Sequence, residues 1–134
     1  MIKALFFDID GTLVSFNTHE IPSSTLVAIA EAKAKGIKIF IATGRPKAII
    51  NNLTALQERE LIDGYITMNG GYCFVGDEVI YKHSIPVQDV KAMAALSDER
   101  NFPCIFVAEH TVAVCNTNKL VNEIFHDFLH VDIL

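Results

Sequence analysis

Several features that define other protein classes are scarce in this sequence. The chain has 3 cysteines among its 134 residues, at Cys73, Cys104 and Cys115, and none of them forms a CxxC pair. An odd number of isolated cysteines predicts neither a disulfide framework nor a zinc site. We therefore expect reduced thiols that pack among other side chains.

Basic residues are also few, with 11 lysines and arginines against 16 aspartates and glutamates and a net charge of −5. A nucleic-acid-binding surface needs a basic patch, so this balance argues against a nucleic-acid partner. No apolar run reaches the ~18 residues that a membrane span needs. The apolar run between Lys3 and Asp8 is too short for a signal-peptide core. These absences predict a soluble cytoplasmic protein without membrane contact.

What the sequence does contain is typical of a folded α/β protein. Apolar residues make up 51% and charged residues 20%, which predicts a well-filled core. Residues 1–83 alternate strand and helix patterns, which indicates a Rossmann-like parallel sheet with right-handed crossovers. The predicted elements are a strand covered on both faces at Met1–Ile9, a serine-capped helix from Pro22-Ser23-Ser24 to Gly36, a strand at Ile37–Ala42, a helix from Pro46 with a stripe of Ile49, Ile50, Leu53 and Leu56, and a strand at Tyr65–Met68.

The pattern changes after Asn69-Gly70 to one typical of antiparallel α+β structure. The predicted elements are a hairpin of Tyr72–Val75 and Val79–Lys82, a helix from Pro86, a hairpin within 103–116 that turns at Glu109-His110, a helix with a core stripe of Leu120, Val121, Ile124, Phe125 and Phe128, and a strand beginning at Val131–Leu134. The second hairpin would place Cys104 opposite Cys115. We expect a boundary near residue 83, with part of an α+β subdomain at 84–134.

The residues that follow the first predicted strand suggest chemistry. Asp8 and Asp10 lie two positions apart in Asp8-Ile9-Asp10-Gly11-Thr12-Leu13. Ligands of open parallel sheets bind beyond the carboxyl ends of the strands, where both aspartates fall. The two carboxylates can share one Mg²⁺, or one can be a nucleophile and the other a proton donor. Gly11 permits a tight turn and offers an N–H to an anion.

A second motif, Thr43-Gly44-Arg45-Pro46, follows the second predicted strand. Parallel neighbours put Thr43 beside Asp8 at the same edge of the sheet. A hydroxyl, the Gly44 N–H and a helix N-terminus at Pro46 would form a phosphate cradle. The Arg45 guanidinium suits phosphate, or it caps the sheet edge. The sequence therefore predicts an acidic metal site beside an anion site, as phosphoryl transfer requires.

Three motifs together resemble one known family. They are Asp8-Ile9-Asp10-Gly11-Thr12-Leu13, Ile41-Ala42-Thr43-Gly44-Arg45 and Met68-Asn69-Gly70-Gly71, and they are similar to those of the haloacid dehalogenase (HAD) superfamily, in particular its Cof-type (subfamily IIB) phosphatases. The resemblance spans the whole chain. It implies a three-layer α/β core, Rossmann-like, with an inserted α+β cap that is incomplete here.

The resemblance also implies a role for each motif residue. Asp8 would be the nucleophile that becomes an aspartyl phosphate, and Asp10 the general acid and base. The Asp8 carboxylate and the Asp10 main-chain carbonyl would bind Mg²⁺. Thr43 and the Gly44 backbone would hold the phosphoryl oxygens.

The residue at position 10 bears on the reaction class. Within the superfamily, dehalogenases carry an aromatic residue there and ion-pumping ATPases a threonine, so Asp10 implies a phosphatase or a phosphomutase. The large cap usually accompanies hydrolases. We therefore expect hydrolysis of small phosphorylated metabolites, such as sugar phosphates, with a phosphomutase as the alternative.

The family's phosphate-binding lysine and second set of metal-binding carboxylates follow the cap, beyond Leu134. The chain thus resembles the N-terminal half of a family member, and its first strand would be an apolar edge strand. Two kinds of pairing stay open, with a separate C-terminal half or with a second copy. A non-catalytic binding or interaction module that needs the other half of the core is the second functional hypothesis.

Two other functions are disfavoured by particular residues. A calcium loop that begins at Asp8 would need an oxygen ligand, a glycine and a glutamate where Thr12, Leu13 and His19 stand. A phospho-acceptor receiver module would need an aspartate at the end of the third strand, where Asn69 stands instead. Asn69 is either a turn residue or a polar contact in the active site.

Overall fold

A computed structural model describes residues 1–131, apart from the side chain of Phe128. The chain forms two compact units, one from residues 1–46 and 50–83 and the other from 47–49 and residue 84 onwards. The strand predicted at Val131–Leu134 lies, from residue 132, outside the described residues.

A five-stranded sheet forms the first unit, in the order β1-β2-β3-β4-β5. Its strands are β1 (Ala4–Phe7), β2 (Lys38–Ala42), β3 (Gly64–Thr67), β4 (Tyr72–Val75) and β5 (Glu78–Lys82). The pairs β1–β2 and β2–β3 are parallel, whereas β3–β4 and β4–β5 are antiparallel. The sheet is therefore mixed, because the first predicted hairpin extends the parallel sheet.

The core of this unit packs helix α1 (Ser23–Ala34) with the buried residues of β2 and the turn after β1. Ile39 and Ile41 are fully buried because they alternate on one face of β2. The other buried members of the core are Ile9, Leu13, Val14, Leu26, Ile29, Leu53, Leu56 and Leu61. The residues that precede the candidate site are thus held by apolar packing.

Three expectations for this unit are wrong. The N-cap of α1 is Pro22, whose carbonyl accepts from the N–H groups of Thr25 and Leu26, so a serine does not cap the helix. Strand β1 is not covered on both faces, since Phe6 is 57% exposed and stacks on Phe40. Its place at the end of the sheet confirms the expected apolar edge strand.

The third concerns the helix predicted from Pro46. The structure has a short 3-10 turn at Lys47–Ile49 and, later, helix α2 (Thr54–Gln57). The β-branched and asparagine residues of Ile49-Ile50-Asn51-Asn52 have low helix propensity, which explains the interruption. The stripe is nonetheless buried at Leu53 and Leu56, so the pattern indicated burial correctly but not a continuous helix.

The second unit contains helix α3 (Val87–Arg100) and a two-stranded hairpin of β6 (Cys104–Val107) and β7 (Val112–Cys115). Helix α4 (Lys119–Asn122) continues into a π-helical turn at Glu123–Phe128. The predicted second hairpin is confirmed, with Cys104 directly opposite Cys115. All three cysteines of the chain are free thiols.

The apolar stripe predicted for the last helix is only partly buried. Val121 and Phe125 pack in a cluster with Ile49 and Val112, but Leu120 is 61% exposed. Ile124 is also exposed, at 43%. Leu120 and Ile124 are four residues apart and lie on one side of the predicted stripe, while the other side, at Val121 and Phe125, is covered. The side chain of Phe128 lies outside the described part of the structure. None of the helices in the described part of the chain is long and apolar enough to cross a membrane.

Asp63 fastens the loop before β3 to the start of β2. Its carboxylate accepts the Ile39 N–H at 2.9 Å, and its own N–H donates to the Ile39 carbonyl at 2.7 Å. Lys38 and Lys33 lie 3.0 and 3.3 Å from its oxygens. Burial alone would raise the pKa of Asp63, but the bond from Ile39 and the two lysines outweigh it and hold the pKa below the usual value of 3.8.

Replacement of this carboxylate, Asp63→Asn, is expected to lower the free energy of unfolding by about 1.5–3 kcal/mol at neutral pH, the range for hydrogen bonds to charged groups. Because the folded-state pKa is lowered, the contribution is complete above the unfolded pKa and is lost as pH falls through the folded one. Urea unfolding of both proteins at several pH values measures the difference. Asp77→Asn, in the exposed turn between β4 and β5, is the control. Equal destabilisation by the two substitutions, or a difference that persists below the folded pKa, would contradict this role.

Candidate active site

The parallel pairing of β1 and β2 brings the two sequence motifs to one edge of the sheet. Phe7 is in register with Ile41, so the chain leaves both strands at the same level, at Asp8 and Ala42. A cavity of about 360 Å³ opens at this edge. It is lined by Asp8, Ala42, Thr43, Gly44, Ile66, Asn69 and Gly70. Three of the residues predicted from sequence to act on a phosphoryl group, Asp8, Thr43 and Gly44, therefore border one cavity.

Internal backbone hydrogen bonds stabilise the turn that follows Asp8. The N–H groups of Leu13 and Val14 donate to the Ile9 carbonyl at 3.0 and 2.9 Å. Gly11 has a positive φ of 81°, and a Cβ added there would lie 2.5 Å from the Phe16 ring, so this position requires glycine.

The anion-binding role expected for Gly11 is not supported by this geometry. Its N–H donates to the Val14 carbonyl at 2.9 Å, and Gly11 is not among the residues that line the Asp8 cavity. The Gly11 N–H, which was expected to bind the anion, is therefore used in the hydrogen bond that closes the turn. Gly11 shapes the loop that follows Asp8.

Asp10 and Arg45 form a bidentate ion pair. Arg45 Nε lies 2.7 Å from Asp10 Oδ2, and Arg45 Nη2 lies 2.7 Å from Asp10 Oδ1. The guanidinium is 8% exposed and the carboxylate 32%. The paired fork geometry makes this one of the stronger kinds of side-chain contact. Arg45 Nη1 also donates to Asn51 Oδ1 at 3.3 Å.

The ion pair gives the two aspartates different surroundings. Asp8 is exposed and borders the cavity, whereas both carboxylate oxygens of Asp10 are bonded to Arg45. Of the two uses predicted for Arg45, substrate contact and capping of the sheet edge, the structure shows neither directly. Arg45 instead positions Asp10, a contact that bridges 35 residues of sequence.

Thr43 is buried at the end of β2, with 6% of its surface exposed. Its hydroxyl oxygen accepts the Arg45 N–H at 3.1 Å, which leaves the hydroxyl hydrogen for an acceptor in the cavity. The phosphate cradle predicted here included the N-terminus of a helix at Pro46. That part is wrong, since only a three-residue 3-10 turn follows. Thr43 and Gly44 are the parts of the cradle that line the cavity.

Asn69 is a turn residue, and its contact with a substrate stays a prediction. It has a left-handed backbone, with φ 53° and ψ 35°, as expected of a turn residue. It also lines the cavity, and its N–H donates to the Thr43 carbonyl at 3.2 Å. A Cβ on Gly44 would lie 3.2 Å from Asn69 Oδ1, so the glycine allows the amide to approach closely.

The oxygen donors at this edge fit a magnesium ion in part. Mg²⁺ keeps several water ligands and is commonly bound through one or two carboxylates together with substrate phosphates. Asp8 offers a carboxylate on the open cavity, while the Asp10 carboxylate is engaged by Arg45, so a main-chain oxygen is the donor left to residue 10. Within residues 1–131 there is no group of three acidic, histidine or cysteine side chains that could hold a metal. The protein alone therefore supplies only part of a coordination shell.

Two contacts of the site were not predicted from the sequence: the ion pair of Arg45 with Asp10, and the hydrogen bond from Arg45 to Asn51. A parallel sheet predicts that the ends of β1 and β2 meet, but not which side chain turns towards which. Asn51 lies beyond the 3-10 turn, where the sequence predicted a helix, so its position could not be inferred.

The sequence matches the family model of haloacid dehalogenase-like hydrolases over residues 5–132. The Bacillus subtilis protein named "Putative phosphatase YkrA" is 34% identical over 110 residues, which are 82% of this chain and 41% of YkrA.

Solved structures are similar as well. BT4131, described as a HAD subclass IIB sugar phosphatase, superposes with a TM-score of 0.90 at 69% identity, over 98% of this chain and 51% of BT4131. A structure from work on a trigonal-bipyramidal intermediate in a phosphoryl-transfer superfamily has a TM-score of 0.93 at 68% identity, over 100% of this chain and 51% of its own. The chain spans about half the length of these relatives.

The α/β sheet, the motifs at its edge and the match to the family model over almost the whole chain lead to one conclusion: the protein belongs to the haloacid dehalogenase-like hydrolases.

Proposed function

We propose that this chain carries the nucleophile half of a magnesium-dependent phosphatase that hydrolyses small phosphate monoesters. The observation that supports this most directly is the cavity that Asp8 and Thr43 both line. An exposed carboxylate beside a hydrogen-bond donor suits in-line attack on phosphorus, because the donor neutralises charge on the phosphoryl oxygens.

In the proposed first step, a carboxylate oxygen of Asp8 attacks phosphorus and the ester P–O bond breaks. An aspartyl phosphate forms on Asp8, while Asp10 gives a proton to the leaving alcohol oxygen. In the second step, Asp10 takes a proton from a water molecule that attacks the same phosphorus. Inorganic phosphate leaves and the Asp8 carboxylate is regenerated. Two short transfers replace one difficult displacement.

The residues at the sheet edge would hold the phosphoryl group during both steps. Thr43 would donate its hydroxyl hydrogen, since its oxygen already accepts from Arg45. The Asp8 carboxylate and the Asp10 main-chain carbonyl would hold Mg²⁺, which supplies charge neutralisation of the phosphoryl oxygens when bound. Gly44 keeps this side of the cavity open, and the Asn69 amide lies against it.

The ion pair constrains how Asp10 can act. Both oxygens of Asp10 are bonded to Arg45, so proton transfer requires Asp10 to release at least one of them. In this proposal Arg45 is a positioning residue, since it touches Asp10 and not the reacting atoms. The ion pair restricts the motion of the Asp10 carboxylate. One remaining hydrogen bond to Arg45 would still orient that carboxylate towards the leaving oxygen.

A sugar phosphate is the proposed substrate class. The basis is likeness to BT4131, which is described as a sugar phosphatase and is 69% identical to this chain. The cavity of about 360 Å³ is large enough for a phosphoryl group together with a small alcohol.

Removal of the nucleophile gives the first prediction. Purified chain is expected to hydrolyse p-nitrophenyl phosphate only slowly with Mg²⁺, because it corresponds to about half of the related phosphatases, and to lose this residual activity when EDTA is added. Asp8→Asn is expected to abolish turnover without unfolding the protein, because Asp8 is exposed. Asp77→Asn, on the exposed turn between β4 and β5, is the matched control and should retain full activity. Intact mass confirms that no contaminating phosphatase or longer chain is present. Turnover by Asp8→Asn, or hydrolysis that EDTA leaves unchanged, would sink the proposal.

Loss of the ion pair gives the second prediction. Arg45→Met is expected to lower kcat by about 10- to 100-fold with little change in KM, because Asp10 loses its orientation. Arg45→Lys keeps the charge but not the two parallel bonds, so its kcat should lie between those of Arg45→Met and wild type. Arg59→Met, at an exposed arginine, is the control. An unchanged kcat in Arg45→Met, or an effect confined to KM, would show that Arg45 does not position Asp10.

The hydroxyl of Thr43 gives the third prediction. Thr43→Val has nearly the same shape but no donor, so KM for the phosphate ester is expected to rise about 10-fold, the equivalent of one hydrogen bond to a charged group. Thr43→Ser retains the hydroxyl and should bind nearly as well as wild type. Steady-state kinetics on the two variants separate the donor from the methyl group. Equal KM values for valine and serine would contradict the role of the hydroxyl.

A further inference from the structure

Cys104 and Cys115 lie directly opposite each other in the β6–β7 hairpin of the second unit. Facing residues of an antiparallel pair have Cα atoms about 4.5 or 5.5 Å apart, depending on whether they form a hydrogen-bonded pair. Disulfides span Cα separations of about 4.4–6.8 Å. Facing residues also project to the same side of a hairpin. The register alone therefore places the two cysteines within bridging distance.

The contacts of Cys115 place its sulfur on the Cys104 side. Its Sγ lies 3.8 Å from the Cys104 carbonyl oxygen and 3.5 Å from Ser97 Oγ of helix α3. Ser97 is fully buried and is held by the Phe102 carbonyl at 2.6 Å and by Asn116 Nδ2 at 3.0 Å. Both cysteines are free thiols of intermediate exposure. A small oxidant can reach them, while their backbones are fixed by the hairpin.

Cys73 provides an internal comparison. It also lies in an antiparallel strand pair, but its partners in register are Ile66 and Tyr81. It is likewise a free thiol of intermediate exposure. Cys73 thus resembles the other two in environment but has no cysteine opposite it.

We propose that Cys104 and Cys115 are a reversible redox modification site, a dithiol that low-molecular-weight disulfides such as oxidised glutathione convert into a cross-strand disulfide. One thiolate attacks glutathione disulfide, and a mixed disulfide forms as one glutathione leaves. The second cysteine then attacks the protein sulfur of that mixed disulfide and releases the other glutathione. The protein loses two electrons and two protons, and one glutathione disulfide becomes two glutathione thiols. This site is independent of the proposed phosphatase function.

The reactivity of Cys104 affects the rate at which the bridge forms. Burial, and to a smaller degree the neighbouring Cys115, raise the pKa of the Cys104 thiol, so little of it is thiolate at neutral pH. The exchange is therefore best measured at mildly alkaline pH, where equilibrium is reached sooner. The pairing itself rests on the register of the hairpin and not on this pKa.

The test equilibrates the full chain with buffers of varied ratio of oxidised to reduced glutathione, followed by acid quenching. Free thiols are counted by alkylation and mass spectrometry. The folded protein is expected to lose the mass of two hydrogen atoms, with Cys104 joined to Cys115 in the peptide map and Cys73 still alkylated. Dithiothreitol should restore all 3 thiols. The bridge should form at a lower ratio of oxidised to reduced glutathione in the folded chain than in guanidinium, because the hairpin holds the sulfurs together.

Two variants sharpen the result. Cys73→Ser should oxidise as wild type does. The double variant Val114→Cys with Cys115→Ser moves the second thiol by one residue, to the opposite face of β7, where Val114 packs against the cluster of Val121 and Phe125. It should accumulate glutathione mixed disulfides without an internal bridge, and circular dichroism checks that it is folded. Persistence of all three thiols in the folded wild type, a stable mixed disulfide at Cys104 or Cys115, or equal bridging by the double variant would overturn the proposal.

Discussion

The parallel pairing of β1 with β2 is the constraint on which the candidate site depends. Backbone bonds that align Phe7 with Ile41 bring Asp8 and Thr43, 35 residues apart, to one sheet edge. The apolar core beneath β2 fixes that register, because a slip of one residue would turn Ile39 and Ile41 away from the core. The site is therefore positioned by hydrophobic packing that lies outside it.

Two aspartates separated by a single residue have different environments at this edge. Asp8 borders the cavity, and Asp10 is bonded through both oxygens to a nearly buried arginine. Residues two apart in an extended strand would point to the same side. The backbone is no longer extended here, because the turn closed by the Ile9 carbonyl begins between the two aspartates. In the proposed mechanism the accessible Asp8 is the nucleophile, and Asp10, which Arg45 restrains, transfers the proton.

The fold was predictable from the sequence where a single pattern, such as an apolar run or a pair of turn residues, defined an element. Strands β1 to β3, both hairpins and the facing of Cys104 and Cys115 followed from apolar runs and turn residues. Predictions failed where local preferences competed with the pattern, as in the low helix propensity of Ile49-Ile50-Asn51-Asn52 and the π-helical turn at Glu123–Phe128. In the site, residue identities and edge placement were predictable. The bond from the Gly11 N–H to the Val14 carbonyl was not, because residue identities do not set which donors a turn uses internally. Nor was the pairing of Arg45 with Asp10, which is a tertiary choice among several polar partners.

The central claim is that Asp8 is phosphorylated during turnover, and chemical trapping tests it most directly. The chain is mixed with Mg²⁺ and p-nitrophenyl phosphate, quenched with borohydride and mapped by mass spectrometry, since borohydride reduces an aspartyl phosphate to homoserine. We expect homoserine at position 8 alone, dependent on both Mg²⁺ and substrate and absent from Asp8→Asn. Hydrolysis that proceeds without modification at position 8, or modification at Asp10 instead, would contradict the account.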